Sequence, residues 1–427
     1  MKFACYTLGC KVNQYETQAM EQLLVQSGHT LGSFDEICDG YIINTCTVTA
    51  VSDKKSRNAI RRVRKLNPAA AVGVCGCYAQ SSPDEIRKLD VDVLIGTDGR
   101  EPFVRHMIEA AATRQKWERV DDAGQPRAFE ILPAGGLAAR TRALLKVEDG
   151  CNNFCTYCII PYARGPVRSL PLATAVAQTE QLRREGYREL VLTGIEISSW
   201  GHDLKNGQSL IDLLEAVSAA AGDMRLRLGS LEPRTITEDF CRRASELPDL
   251  CPHFHLSLQS GCDETLRRMN RKYDTARFYE SVTLLRQYFH RPAVTTDLIC
   301  GFPDETNREF EQTMAFIEKC AFADMHIFPY SVRPGTKAAE LVQFSAAVKE
   351  ERTRRAVAVA RTMHRAYLEG CVGQTYPVLY EQEKDGLYTG HAPNYCEVCV
   401  RAEDLHNKII DTKIVGIDGD VLIGELT

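Results

Sequence analysis

Nowhere in the 427 residues do eighteen apolar residues follow one another, and the first ten, MKFACYTLGC, set no long apolar run behind their single lysine. A membrane span needs about 18 to 20 such residues, and an export signal needs an apolar core after its charged start. The expectation is a cytoplasmic protein with no membrane partner. Net positive charge is lacking as well: 52 Lys and Arg against 57 Asp and Glu give −5, so any grip on nucleic acid has to come from a local basic face rather than from bulk charge. Internal repeats and low-complexity tracts are absent too. With 44% hydrophobic and 26% charged residues the composition is that of a globular protein, long enough for two or three domains that each bury a core.

What the chain has in excess is cysteine, 17 in all. Without an export signal these thiols read as metal ligands, nucleophiles or core residues rather than as a disulfide framework. Three stand together in CNNFCTYCIIPYARG, residues 151 to 165: Cys151, Cys155 and Cys158. A disulfide uses pairs and a closed zinc site uses four ligands, so three thiols suggest an ion or cluster with one coordination position left open. Thiolate is the ligand that iron–sulfur clusters select, and a cubane held by three cysteines leaves one iron free for a small chelating molecule. Zinc is the rival reading, but residues 151 to 170 contain no histidine. The remote pair Cys396 and Cys399 lies in YCEVCV, whose alternation puts residues three apart on opposite faces, so both read as structural.

From residue 1 to about 115 apolar strand patterns (KFACYTLG, YIINTC, AVGVCGC, VDVLIGT) alternate with helical ones, as in a parallel sheet with crossover helices. Cys10, Cys46 and Cys77 each end one of these strands, at the edge where open parallel sheets bind ligands. The fold thus assembles a second group of three thiols. Residues 116 to 140, with DDAGQP and LPAGG, read as a linker. Between 141 and 370 come ALLKVED (143 to 149), ELVLT (189 to 193), RLRLGS (225 to 230), HFHLSL (253 to 258), TTDLICG (295 to 301) and MHIFPY (325 to 330). Their rhythm is that of an incomplete (β/α)6 barrel, with the cysteine loop after the first strand on the catalytic face. A charged helix over 346 to 370, capped by Gly370, closes this section, and residues 371 to 427 alternate as a small β domain with turns at KDG and DGD.

CNNFCTYCIIPYARGPVRS resembles the cluster loop of radical S-adenosylmethionine (SAM) enzymes, and its IIPYARG portion narrows the resemblance to the methylthiotransferases. TLGCKVNQYE is similar to the branch that acts on threonylcarbamoyladenosine in tRNA; sister branches act on isopentenyladenosine in tRNA and on an aspartate of a ribosomal protein. The resemblance spans nearly the whole chain and implies an N-terminal methylthiotransferase domain (1 to 115), a radical-SAM barrel (141 to 370) and a C-terminal TRAM β-barrel (371 to 427). It further implies that Cys151, Cys155 and Cys158 hold a 4Fe-4S cluster whose open iron binds SAM, and that Cys10, Cys46 and Cys77 hold a second. Cys75, two residues before Cys77, is left open as a bystander. The first cluster would cleave SAM to a radical that takes hydrogen from carbon 2 of adenine, the second would present sulfur, and a second SAM would supply the methyl group. No protein side chain is assigned as catalytic.

Tyr157 takes the aromatic position that lies against the SAM adenine in such enzymes, against the plainer alternative of an exposed loop tyrosine. Gly194, Ile195 and Glu196 follow the second barrel strand, where the methionine amino group binds, and Ser230 and Gln259 end the third and fourth. Partners implied are tRNA, SAM, and an external electron donor and sulfur source. KKSRNAIRRVRK (54 to 65) carries seven basic residues, read either as a solvated face or as an RNA backbone contact, with Ala59, Val63 and Leu66 buried and Lys54, Arg57, Arg61 and Arg64 on another face. The TRAM-like segment has ten acidic and four basic residues, so RNA contact there rests on a local face or on aromatics such as Tyr388 and Tyr395.

Overall fold

Runs such as Tyr41-Ile42-Ile43 and Ala71-Val72 are buried on both faces, which an all-parallel sheet covered by helices requires. In a computed structural model describing residues 1–136 and 141–427, these runs form the centre of a six-stranded sheet. Its strands are β1 (Lys2–Thr7), β2 (Thr30–Leu31), β3 (Gly40–Thr45), β4 (Ala71–Gly76), β5 (Val93–Ile95) and β6 (Trp117–Arg119), in the order β2-β1-β3-β4-β5-β6. All neighbours pair in parallel. Three helices follow the strands that end in cysteine: α1 (Lys11–Gln26), α2 (Ala50–Leu66) and α3 (Cys77–Ser81). The sheet extends beyond the sequence reading at both edges. β2 is too short to show alternation, and β6 uses Trp117-Glu118-Arg119 from the stretch read as a linker. Residues 137 to 140 of that stretch lie outside the described residues.

The middle of the chain supplies β7 (Arg142–Lys146), a small antiparallel pair β8 (Glu148–Asp149) and β9 (Arg168–Ser169), then β10 (Glu189–Thr193), β11 (Arg225–Leu228), β12 (Ser230–Leu231), β13 (His253–Gln259), β14 (Ala293–Cys300) and β15 (Asp324–Pro329). Parallel pairing runs β7-β10-β11 and, across Gly229, β12-β13-β14-β15. This is an open barrel of six strand units. Burial alternates along its walls: Phe254, Leu256 and Leu258 of β13 pack into the outer core, while His255, Ser257 and Gln259 turn the other way.

The helix Ala346–Cys371 leads into β16 (Thr375–Lys384), β17 (Leu387–His391), β18 (Glu397–Arg401), β19 (Ile409–Asp418) and β20 (Val421–Leu426), a closed barrel in the order β16-β17-β18-β20-β19. Asp385 and Gly386 both take positive φ (55° and 73°), as the two-residue turn between β16 and β17 needs. Gly370 does not cap the preceding helix. It lies inside it, and the left-handed residue is Gly373, at φ 86°. This barrel seats on the amino-terminal mouth of the open one, where Arg225 and Arg227 donate to the carbonyls of Pro377 and Pro393 at 2.8 Å each. No helix among the described residues is long and apolar enough to cross a membrane.

Candidate active site

Cys46 and Cys77 follow β3 and β4 directly, Cys10 follows β1 after Leu8 and Gly9, and the three converge at the carboxyl edge of the first sheet. Gly9, at φ 107°, makes the approach: a Cβ there would lie 2.8 Å from Cys46 Cβ and 3.0 Å from its sulfur. Burial pushes the Cys77 thiol up to about 12 and raises that of Cys46, so thiolates form here only against a bound cation. Cys75, by contrast, is fully buried on the far side of β4 among Phe3, Ile42 and Phe103, and is a core residue.

A buried guanidinium joins this trio to the barrel. Arg164, at the end of the sequence CNNFCTYCIIPYAR, has no solvent exposure, and its Nε donates to Cys77 Sγ at 3.3 Å. It also reaches Glu16 of α1 at 2.8 Å, Asp149 at 3.1 Å and Asn13 Oδ1 at 2.8 Å. Arg100 and Lys146 close on Glu16 at 2.7 and 3.3 Å, and Lys146 and Arg168 on Asp149 at 3.3 and 3.1 Å. Burial alone would raise both carboxyls, but the surrounding cations overcome it and hold each well below the ordinary range. Four cations meet two carboxylates in this group, and the surplus positive charge faces the sulfur of Cys77.

The second trio lies in the loop after β8. Cys151 N donates to the carbonyl of Gly165 (3.0 Å), Thr156 N to that of Met269 (3.1 Å), and Asn270 Nδ2 to that of Phe154 (2.9 Å), which holds Phe154 at φ 47°. Arg271 repeats the device of Arg164: its Nη1 donates to Cys155 Sγ at 3.2 Å, and its guanidinium lies 4.8 Å from the Tyr273 ring. Burial pushes the thiols of Cys151 and Cys158 up to about 12. Among the described residues neither trio brings its three sulfurs within 4.8 Å of one another. Three thiols with no other ligand type among them are the donor set that suits an iron–sulfur cluster. Cys396 packs with Cys371 and Tyr367 at the C-terminal barrel, and Cys399 lies on β18, so neither completes a zinc site.

Tyr157 is no exposed loop residue. It packs against Met269, Phe302 and Tyr330, and burial holds its hydroxyl well above the usual range. Gly194, Ile195 and Glu196 sit past β10, where a Cβ at 194 would lie 2.8 Å from Glu148 Oε2. That carboxylate oxygen accepts from Glu196 N at 2.7 Å, while the other, Oε1, is buried with no partner. An orphaned carboxylate oxygen beside residues 194 to 196 fits an ammonium donor such as the amino group of SAM. Burial raises the carboxyls of both Glu148 and Glu196. Ser230 is exposed, and Gln259 takes φ 69° at a register shift in β13, a conformation that non-glycine residues adopt at a cost.

Sequence reading missed Arg164, Arg271 and Glu148, whose signal is a charged residue buried beside a cysteine loop. It also missed His255, Asp297 and His326, which adjoin on β13, β14 and β15. Asp297 takes His255 Nε2 and His326 Nδ1 on separate oxygens, at 3.2 Å each. The alternation of HFHLSLQ, apolar on one side only, was the available clue.

The RNA-facing expectations need correcting in two places. Arg64 is not free on α2: it binds Asp92 Oδ2 at 2.7 Å and the carbonyls of Asp90 and Ala70 at 2.8 Å each, while Arg57 donates to the Tyr78 hydroxyl at 2.6 Å. Lys54, Lys55, Arg61 and Lys65 remain exposed. Tyr388 is buried in the core of the C-terminal barrel. Tyr395 stacks with both His253 and His391, each at 4.9 Å between ring centres, so its ring is already engaged within the protein.

A parallel-sheet domain with three cysteines after its strands, joined through Arg164 to an open barrel that carries a three-cysteine loop, is the arrangement of a radical-SAM enzyme of the methylthiotransferase class. Residues 145–317 match the Radical SAM superfamily, and residues 2–96 match the uncharacterized protein family UPF0004. Threonylcarbamoyladenosine tRNA methylthiotransferase MtaB of Bacillus subtilis (strain 168) is 38% identical over 420 residues, covering 96% of this chain and 93% of that protein. The chain belongs to this family, the MtaB-type methylthiotransferases. The tRNA-2-methylthio-N(6)-dimethylallyladenosine synthase of Moorella thermoacetica is 33% identical, covering 89% of this chain and 87% of that one. In fold the chain is similar to the radical SAM methyltransferase TsrM from Kitasatospora setae (TM-score 0.56, 14% identity, 91% of this chain and 80% of that one).

Proposed function

We propose that this enzyme adds a methylthio group to carbon 2 of N6-threonylcarbamoyladenosine beside the anticodon of tRNA, using SAM and two 4Fe-4S clusters. The observation that carries this reading is the pairing of two three-cysteine sets, each with a buried arginine on one sulfur. Cys151, Cys155 and Cys158 would hold one cluster, and Cys10, Cys46 and Cys77 the other. When bound, these groups supply the electron that opens the sulfonium of SAM and the sulfur that is transferred.

The side chains do the rest by position. Glu148 and Glu196 would take the ammonium of SAM, and Gly194 lets the Glu148 carboxylate lie close against the chain after β10. Tyr157 would lie against the SAM adenine, with Ser230 and Gln259 bounding the site. Arg164 and Arg271 offset thiolate charge and fix the two sulfurs they touch, and the ion-pair group around Glu16 locks one trio's distance from the other. The exposed lysines and Arg61 of α2 would meet RNA phosphates. The electron donor and sulfur source are external, and the setting is the cytoplasm, where tRNA and reducing equivalents are both present.

Anaerobically reconstituted protein given equal amounts of two anticodon stem-loops, one bearing threonylcarbamoyladenosine and one isopentenyladenosine, should methylthiolate the first, as read by nucleoside mass spectrometry. Product on the isopentenyl stem-loop alone would contradict the reading.

A further inference from the structure

Lys11 directly follows Cys10 and lines a cavity of about 300 Å³ where the N-terminal domain, the open barrel and the C-terminal barrel meet. Its ammonium has no hydrogen bond and no ion-pair partner among the described residues; it lies 5.8 Å from the centre of the Tyr395 ring.

The other charges around the cavity are satisfied. Arg227 forks onto Glu189 at 2.8 and 2.9 Å, and Glu381 takes Arg142, Thr141 and His391 at 2.7, 2.9 and 2.6 Å. The carboxylates are therefore neutralised, and among the described residues Lys11 is the charged side chain of the lining with neither a hydrogen bond nor an ion pair. An unpaired, half-buried ammonium facing a cavity suits an anion that arrives with a ligand.

We infer that Lys11 recognises the carboxylate of the threonylcarbamoyl arm and thereby selects the anionic base over a neutral isopentenyl one; this rests on the tRNA reading above. Chemistry places the two contacts together. The urea arm leaves N6 on the side of ring N1, the edge of adenine that carries carbon 2. A base offering carbon 2 toward the Cys10 trio therefore carries its carboxylate on the same side, where the neighbouring residue is Lys11. Leu144, Val191 and Tyr395 give the cavity apolar walls for the rest of the arm.

The test compares anticodon stem-loops bearing threonylcarbamoyladenosine as the free acid or as its methyl ester. Wild-type kcat/KM, and equilibrium binding read by fluorescence anisotropy, should favour the acid by about 10- to 100-fold, the range of one charge-assisted hydrogen bond. In Lys11→Gln that ratio should fall to about 1. The ratio is taken within each variant, so it does not depend on how much of the protein carries clusters. Lys11→Gln keeping the wild-type ratio would overturn the inference, as would equal weakening of acid and ester against an undiminished ratio, which marks a phosphate contact instead. A wild-type enzyme that acts on neither stem-loop would overturn the tRNA reading itself and this inference with it.

Discussion

Replacing Cys151, Cys155 and Cys158 together by Ala should leave about four of the roughly eight irons that the anaerobically reconstituted protein holds, and should abolish reductive cleavage of SAM. Replacing Cys10, Cys46 and Cys77 should leave a similar number of irons but the opposite pattern of activity: SAM is still cleaved to 5′-deoxyadenosine, and no sulfur enters RNA. The asymmetry follows from where the groups lie. Glu148, Glu196 and Tyr157 all belong to the barrel, so the residues proposed to touch SAM remain when the sheet-edge thiols are gone. Iron assay and 5′-deoxyadenosine yield separate the two sets. A wild-type content near one metal ion, identified as zinc, would contradict the two-cluster account, and thiolation surviving loss of the sheet-edge trio would make that trio structural.

The second large effect belongs to Arg164. Changing it to Met keeps much of the volume but leaves Glu16 and Asp149 with fewer cations in a site that water does not reach. Breaking a buried pair from one side costs about 3 to 5 kcal/mol, against a total stability of about 5 to 15. The variant should therefore unfold at markedly lower denaturant concentration, and what folds should lose iron from the Cys77 set first, because the donor on that sulfur is gone. The pH dependence has a definite sign. Both carboxyls are held below their unfolded values, so their contribution is present in full above the ordinary carboxylate range and is lost as pH falls toward the depressed folded values. Wild type should keep this stability at mildly acidic pH, and Arg164→Met should start lower and lose less on acidification. Equal denaturation midpoints for the two proteins at neutral pH would contradict this account of the domain junction.

Much of the architecture was legible because its signals are local. Apolar strands such as YIINT and ELVLT are long enough to stand out, and the cysteines read at strand ends do follow β1, β3 and β4. β2 and β6 escaped because two or three residues carry no period, and Gly370 misled because a glycine late in a helix looks the same in sequence whether it ends the helix or sits inside it. The second shell was invisible for a different reason. Arg164, Glu16 and Arg100 meet across 148 and 84 positions of chain, and nothing in a linear pattern says that three charged residues share one dry junction. Tyr395 shows the converse error. An aromatic in a loop of the C-terminal barrel invites a stacking role toward RNA, and its ring is already stacked on His253 and His391.

The central claim is that the sulfur is delivered to carbon 2 of threonylcarbamoyladenosine in tRNA, and nucleoside mass spectrometry of tRNA from a strain lacking this gene tests it most directly. The 2-methylthio derivative should be missing, its threonylcarbamoyl precursor should accumulate, and the wild-type gene should restore the balance where the Cys10/Cys46/Cys77→Ala gene does not. Loss of methylthio-isopentenyladenosine instead, or unchanged tRNA with loss of a methylthio group from a ribosomal aspartate, would contradict it.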